Sequence, residues 1–142
     1  MKFLQQAQIQ VNTNLDELAH VLEWFDQFNS PAMPRPIWLQ CQLALAEGFT
    51  NAVRHAHRGK PVETPVEIEV TVRSQSLEIR IWDFGSVFDL KHVLETLPTE
   101  MDREAEGGRG LKLIKRMADR VDYVRTTDDR NCLLIVKDYP KS

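Results

Sequence analysis

Glu47, Asn51 and His55 recur at four-residue intervals in the stretch LALAEGFTNAVRHAH, residues 43–57. On a helix of 3.6 residues per turn a four-residue step rotates by only about 40°, so the three polar groups rise along nearly one face and can act on one ligand. Asn51 offers an amide oxygen to a divalent cation, and magnesium needs few protein oxygens beside water and phosphate. Glu47, one turn earlier, offers a carboxylate that can take a proton from water or a hydroxyl. Leu43, Ala44, Ala46, Phe49, Ala52 and Val53 cover much of the remaining surface, so the helix is expected to pack on one side and be wet on the other. The same spacing also fits solvated helix residues with His55 near a C-cap. His55 and His57 form an HxH pair, but no third ligand accompanies it, and a structural histidine is the simpler reading.

Two further stretches carry chemistry-bearing residues. Asp83-Phe84-Gly85 follows a strand-like run; its DFG spelling matches the metal-binding motif of eukaryotic-type protein kinases, but the glycine-rich loop, lysine strand and catalytic loop those enzymes need are missing before it. Asp-x-Gly after a strand is either a plain turn or a carboxylate that accepts from an exocyclic amine such as that of adenine, with Gly85 leaving room for the base. In EGGRGLKLI, Gly108 and Gly110 stand where a helix begins, and unpaired amides together with the helix dipole favour phosphate there. A tight helix entry is the plainer alternative. It is not a P-loop, since GxxxxGK[ST] is absent and Lys112 comes too late.

These groups need elements to position them. KFLQQAQIQV half-alternates as an edge strand, and Asn12, Thr13 and Asn14 then offer caps to a first helix, LDELAHVLEWFDQF, with Leu15, Leu18, Ala19, Leu22 and Phe25 at helical spacing. The prolines of NSPAMPRP end that helix, and a second is expected from near Ile37 to about His57. VEIEVTVRSQSLEIRIWDFG alternates on either side of RSQS and reads as a hairpin ending at Asp83. Residues from 86 to 107 are less regular, contain the helical-looking VFDLKHVLETL, and form the expected mobile lid. LKLIKRMADRV carries a helical stripe of Leu111, Ile114, Met117, Ala118 and Val121, and VDYVRTTDDRNCLLIVKD reads as two strands joined by a turn. The order strand, helix, helix, strand, strand, lid, helix, strand, strand predicts an α+β fold: a two-layer α/β sandwich with helices on one face of a mainly antiparallel mixed sheet.

Bulk properties narrow the class. At 142 residues the chain fits one domain, and 42% hydrophobic with 27% charged residues is ordinary for a globular protein. A net charge of -3 and a pI near 5.8 argue against direct nucleic-acid binding. Cys41 and Cys132 stand far apart, outside any CxxC spacing, and are expected as buried free thiols. No run approaches the roughly 20 apolar residues a spanning helix needs, and the opening MKFLQQAQIQV turns polar too early for a signal peptide, so a cytoplasmic protein is expected.

ExxxN on a helix, DxG after a strand, and GxG opening a helix after a variable lid together resemble the GHKL ATPase superfamily, the Bergerat nucleotide-binding fold. EGFTNAVRHAH with GGRGLKLIKRMADRVDY further resembles the anti-sigma-factor serine/threonine kinases. The resemblance covers nearly all of residues 1–142, with the ATP lid at about 86–107. It implies Mg-ATP as ligand, Glu47 as general base, Asn51 as the magnesium ligand, Asp83 reading adenine, Gly85 lining the base pocket, and Gly108 and Gly110 contacting phosphates. Arg54, Arg109, Leu111 and Lys112 are further nucleotide-contacting positions on this reading. Where some family members carry an arginine before the second glycine motif, this chain has Glu106, with Arg103 and Arg109 nearby.

By the same resemblance, the expected activity is phosphorylation of a STAS-type anti-sigma antagonist, and the expected partners are that antagonist, a sigma factor and a second copy of the chain. The length leaves no room for the phosphoacceptor helices of a sensor kinase, so a complete switch protein is expected. The alternative is a non-catalytic or ATP-gated binding module acting on another protein. Trp24, Phe25 and Phe28 make an aromatic stripe at helical spacing that is either core or partner surface.

Overall fold

The structure, a computed structural model, describes residues 5–87 and 108–140, with backbone alone for Gly108 and Arg109. Five strands, β1 Gln5–Asn12, β2 Pro65–Val72, β3 Ser76–Asp83, β4 Arg120–Arg125 and β5 Asn131–Asp138, form one sheet in the order β1-β2-β3-β5-β4. Every pairing is antiparallel, so the sheet is antiparallel throughout the described residues rather than mainly so. The cause is topological: β2 with β3 and β4 with β5 are hairpins, and the two-helix excursion after β1 returns the chain beside it in the opposite sense.

Helices α1 Leu18–Phe25, α2 Arg35–Asn51 and α3 Gly108–Met117 cover one face of the sheet, giving the two-layer α+β sandwich. The strands bury alternate residues against them: Val66, Ile68 and Val70 from β2, Leu77, Ile79 and Ile81 from β3, Leu133 and Ile135 from β5. Gly48 marks a close approach of helix and sheet, because a Cβ there would lie 2.6 Å from Ile81 Cδ1 and 3.4 Å from Leu133 Cδ2. The lid expected at about 86–107, with VFDLKHVLETL inside it, lies outside the described residues except for Ser86 and Val87. No helix among the described residues is long and apolar enough to cross a membrane.

Three helices differ from the expected stripes: α3 ends at Met117, so Val121, expected on its stripe, lies in β4 instead, and the buried faces of α1 and α2 differ from those expected. The first turn, Leu15–Glu17, is a 3-10 turn capped by Asn14, whose side chain accepts from Asp16 N–H at 2.9 Å. Its tighter winding puts Leu15 out of phase with α1, so Leu15 and Ala19 are exposed while Val21, Phe25 and Phe28 are buried. Phe25 stacks on Trp38 of α2 with ring centroids 4.6 Å apart, and Trp24 packs edge-on to Phe28, so the aromatic stripe is core. On α2 the buried side includes Trp38, Cys41, Ala44, Leu45 and Phe49; Leu43, expected to pack, is exposed.

The register of the sheet decides which polar residues join this apolar layer. Asp83 has the parity of Ile79 and Ile81 and therefore points to the helices, buried at the end of β3. It pairs with Asn131 of β5, which in turn pairs with Arg125 of β4, so Asp83, Asn131 and Arg125 form one row across three strands.

Candidate functional site

Pro34 precedes α2 and Pro36 stands in its first turn, where a missing amide costs nothing, and the helix then runs unbroken to Asn51. It continues as a π-helical turn, Ala52–Ala56, closed by the His57 N–H donating to the Ala52 carbonyl at 2.9 Å. This wider turn rotates less per residue, so the step from Asn51 to His55 no longer repeats the step from Glu47 to Asn51. Glu47 is half-buried. Asn51, expected on a wet face, is buried, and its Oδ1 has no hydrogen-bond partner among the described residues. A buried amide oxygen without a protein partner is open to a water molecule or to a cation such as magnesium, which takes oxygen ligands.

Both other motifs abut this helical path. At its upstream end Gly110 of α3 lies against Glu47, such that a Cβ on Gly110 would come within 2.9 Å of Glu47 Oε1. At its downstream end Gly85 lies against Ala56, where a Cβ would stand 3.0 Å from both the Ala56 carbonyl and its methyl. Gly85 thus serves close packing of the Asp83 turn on the π turn, a role in addition to the room for a base expected of it. Gly108 opens α3, whose first backbone N–H groups lack intrahelical partners. Leu111 is fully buried in the core, so its backbone rather than its side chain is what it can present to a ligand. Lys112 is half-buried on α3, and Arg54 is exposed on the π turn; the side chain of Arg109 lies outside the described residues.

Asp83 is held on several sides. Oδ1 accepts from Gly85 N–H at 2.8 Å and from Asn131 Nδ2 at 3.0 Å, while Oδ2 accepts from the Tyr123 hydroxyl. Each carboxylate oxygen has two lone pairs, so Oδ2 keeps one acceptor position. Burial, then the charge of Asp83 and its hydrogen bond, push the Tyr123 phenol well above its ordinary range and keep it a donor. Asn131 Nδ2 also donates to the Ser86 carbonyl at 2.8 Å, and Arg125 Nη1 donates to the Gly85 carbonyl at 2.8 Å. The β4–β5 hairpin therefore clamps the turn after β3.

His57 clamps it from the other side. Its buried ring accepts the Phe84 N–H at Nε2, 2.8 Å away, and Nδ1 lies 3.0 Å from Thr13 Oγ1. With both nitrogens engaged, His57 has none left for an HxH metal site. Burial lowers its pKa below the ordinary value of 6.5, with Asp83 opposing and Lys60 assisting. Arg130 covers the outer side of the same turn, its guanidinium 5.9 Å from the Phe84 ring centroid and 5.5 Å from that of Trp82.

Tyr123, Arg125 and Asn131 are not among the site residues expected from the sequence, Thr13 is expected there only as a helix cap, and His57 only as half of an HxH pair. Asn131 had a signal, being a polar residue of poor strand propensity at the start of an apolar strand. The contacts of Arg125 and Thr13 depend on register and on a loop crossing that no local spacing reports.

An antiparallel sheet under one layer of helices, with ExxxN, DxG and GxG brought together along α2 and its continuation, is the architecture of the GHKL class. The chain belongs to the histidine kinase-like ATPase domain family, whose model matches residues 11–137. It is similar to the serine-protein kinase RsbW of Bacillus pumilus (strain SAFR-032), 38% identical over 87 residues, which is 57% of this chain and 54% of that protein. It is also similar to the serine-protein kinase RsbW of Listeria monocytogenes serotype 4a (strain HCC23), 34% identical over 85 residues, 56% of this chain and 54% of that protein. These relatives bear out the resemblance to the anti-sigma-factor kinases. The chain spans about half the length of the curated relatives it matches. The fold is that of a chain in the crystal structure of the SiaB-SiaC complex from Pseudomonas aeruginosa, with a TM-score of 0.54 at 13% identity, covering 96% of this chain and 90% of that one.

Proposed function

We propose that the protein is an ATP-dependent serine/threonine kinase that phosphorylates a STAS-type antagonist and holds a sigma factor inactive when the antagonist is modified or absent. The observation that carries the reading is the line from Gly110 through Glu47 and Asn51 to the Asp83 turn, with the buried Asn51 Oδ1 left for a ligand. The similarity to proteins named serine-protein kinase supports it. Adenine fits the remaining acceptor position on Asp83 Oδ2, and the free amides at the start of α3 suit phosphate. Asn51 would hold a magnesium ion through Oδ1, which when bound offsets phosphate charge.

On this reading the hydroxyl oxygen of the antagonist attacks the terminal phosphorus of ATP as Glu47 takes the hydroxyl proton. The bond from that phosphorus to the bridging oxygen breaks, and ADP leaves. Arg54, Arg109 and Lys112 are the cationic groups nearest in sequence to the phosphate motifs. A cytoplasmic location and a homodimer accompany the proposal.

The test is titration with a fluorescent ATP analogue, with and without magnesium, on wild type, Asp83→Asn and Asn51→Ala. Magnesium-dependent binding that disappears in Asn51→Ala, with base binding that disappears in Asp83→Asn, supports the site. Absence of binding by wild type overturns the kinase reading and leaves a fold that works by sequestering a partner.

A further inference from the structure

His57 bridges three parts of the chain that are distant in sequence. Its backbone closes the π turn after α2, Nδ1 meets Thr13 just past β1, and Nε2 meets the amide of Phe84, the middle residue of the Asp83-Phe84-Gly85 turn. A peptide N–H can only donate, so Nε2 must carry a lone pair, and the ring proton of the neutral imidazole resides on Nδ1, donating to Thr13 Oγ1. Protonation of Nε2 would set one N–H against another at 2.8 Å and break this link. Thr13 is itself tied down, its N–H donating to the Val62 carbonyl at 3.0 Å, so the ring cannot follow by shifting toward β1 without cost.

We propose that His57 is a positioning residue: its neutral ring holds the Asp83-Phe84-Gly85 turn in the shape that accepts a nucleotide, and its protonation releases the turn and makes nucleotide binding acid-sensitive. The inference rests on the nucleotide reading of the Asp83 site. The ring is buried, and two charged groups act on it with opposite sign, Asp83 on β3 favouring the proton and Lys60 in the loop after the π turn opposing it. Thr13 brings only a hydroxyl, and Phe84 only a peptide N–H and an aromatic ring 6.4 Å away. Burial outweighs Asp83, so the ring is neutral at pH 7 and gains its proton in acid only at the expense of the Phe84 contact.

The experiment measures affinity for a fluorescent ATP analogue between pH 7.5 and 5.5 on wild type, His57→Gln and His57→Leu. Glutamine places an oxygen acceptor near the Nε2 position and does not titrate; leucine offers no acceptor. Titration of the phosphates is common to all three proteins, so differences between profiles report the ring. Loss of one hydrogen bond to the turn corresponds to about three- to tenfold in affinity. The expected result is that wild type weakens by that factor on acidification relative to His57→Gln, that His57→Gln stays within about twofold of wild type at pH 7.5, and that His57→Leu is weak at both pH values. Parallel profiles for wild type and His57→Gln overturn the inference while leaving the nucleotide site intact. Absence of binding by wild type at pH 7.5 overturns the nucleotide reading and the inference with it. A Phe84 amide resonance that titrates with the His57 ring in wild type and is flat in His57→Gln supports the link itself; one that does not titrate overturns it even if folding of His57→Leu fails.

Discussion

Glu47 Oε1 lies so close to the Cα of Gly110 that a single methyl group at residue 110 would come within 2.9 Å of it. The carboxylate proposed as general base is thus confined by a glycine 63 residues away, on the helix whose start is proposed to receive phosphate. Gly110→Ala should therefore displace Glu47 while improving helix propensity, since alanine is favoured over glycine in a helix by about 1 kcal/mol. The expected outcome is a melting temperature that is unchanged or raised together with phosphotransfer reduced at least about tenfold, which is about 1.4 kcal/mol of barrier. Calorimetry and a phosphorylation assay on the same preparation check it.

Removing the proton acceptor itself should be more severe. Glu47→Gln keeps the size of the side chain and should lower the rate of phosphotransfer by ~10²- to 10⁴-fold while nucleotide affinity changes little. Normal phosphorylation by the variant in single-turnover measurements would remove Glu47 from its role.

The Tyr123 hydroxyl is a donor to a buried carboxylate, and such bonds contribute about 1.5–3 kcal/mol. Tyr123→Phe should lower stability by an amount in that range in urea unfolding and should weaken the fluorescent ATP analogue, because Asp83 loses the group that orients Oδ2. Unchanged stability would mean that the bond is not made in solution.

Stability should also respond to pH through His57. Its folded pKa lies below the unfolded value of 6.5, so the unfolded chain binds the proton more readily. The contribution is fully present above about 6.5 and is lost as pH falls toward and through the folded pKa. Melting curves from pH 8 to 5 should show a decline for wild type that is smaller for His57→Gln. Glu78 acts in a lower window: burial works to raise it, but the Arg73 and Arg80 hydrogen bonds outweigh that and hold it below 4.5, so its contribution is lost only in stronger acid.

Burial pushes the Cys41 thiol up to about 12 and the Cys132 thiol to about 11. Both should resist alkylation at pH 8 in the folded protein, reacting about 100-fold or more slowly than in denaturant, where the ordinary thiolate fraction returns. Mass spectrometry of iodoacetamide adducts with and without urea checks this. Fast labelling of Cys41 in the native protein would show that the interface of α2 with the sheet opens.

The order of elements was legible because each one is a local pattern. Alternation marked β2 and β3, the RSQS turn joined them, and prolines separated α1 from α2. The three motifs were legible for the same reason, since a four-residue step or a glycine before a helix carries its geometry within one element. Burial of Asn51 was not, because which side of α2 faces the sheet depends on where Gly48 lets it approach Ile81. Nor was the winding of the first turn or the change to a π turn after Asn51, which are settled by packing.

Near-neighbour periodicity and side-chain chemistry therefore set the order of strands and helices and the residue types able to handle a cation, a proton, a base and a phosphate. Only the tertiary structure decided that Asp83, Asn131 and Arg125 share one row, that Tyr123 and His57 grip the same turn from opposite sides, and that Gly110 confines Glu47. The contacts Phe84–His57, Asp83–Tyr123, Asp83–Asn131 and Glu47–Gly110 join residues 27 to 63 positions apart, and their geometry is set by strand register and helix packing, which are properties of the whole core.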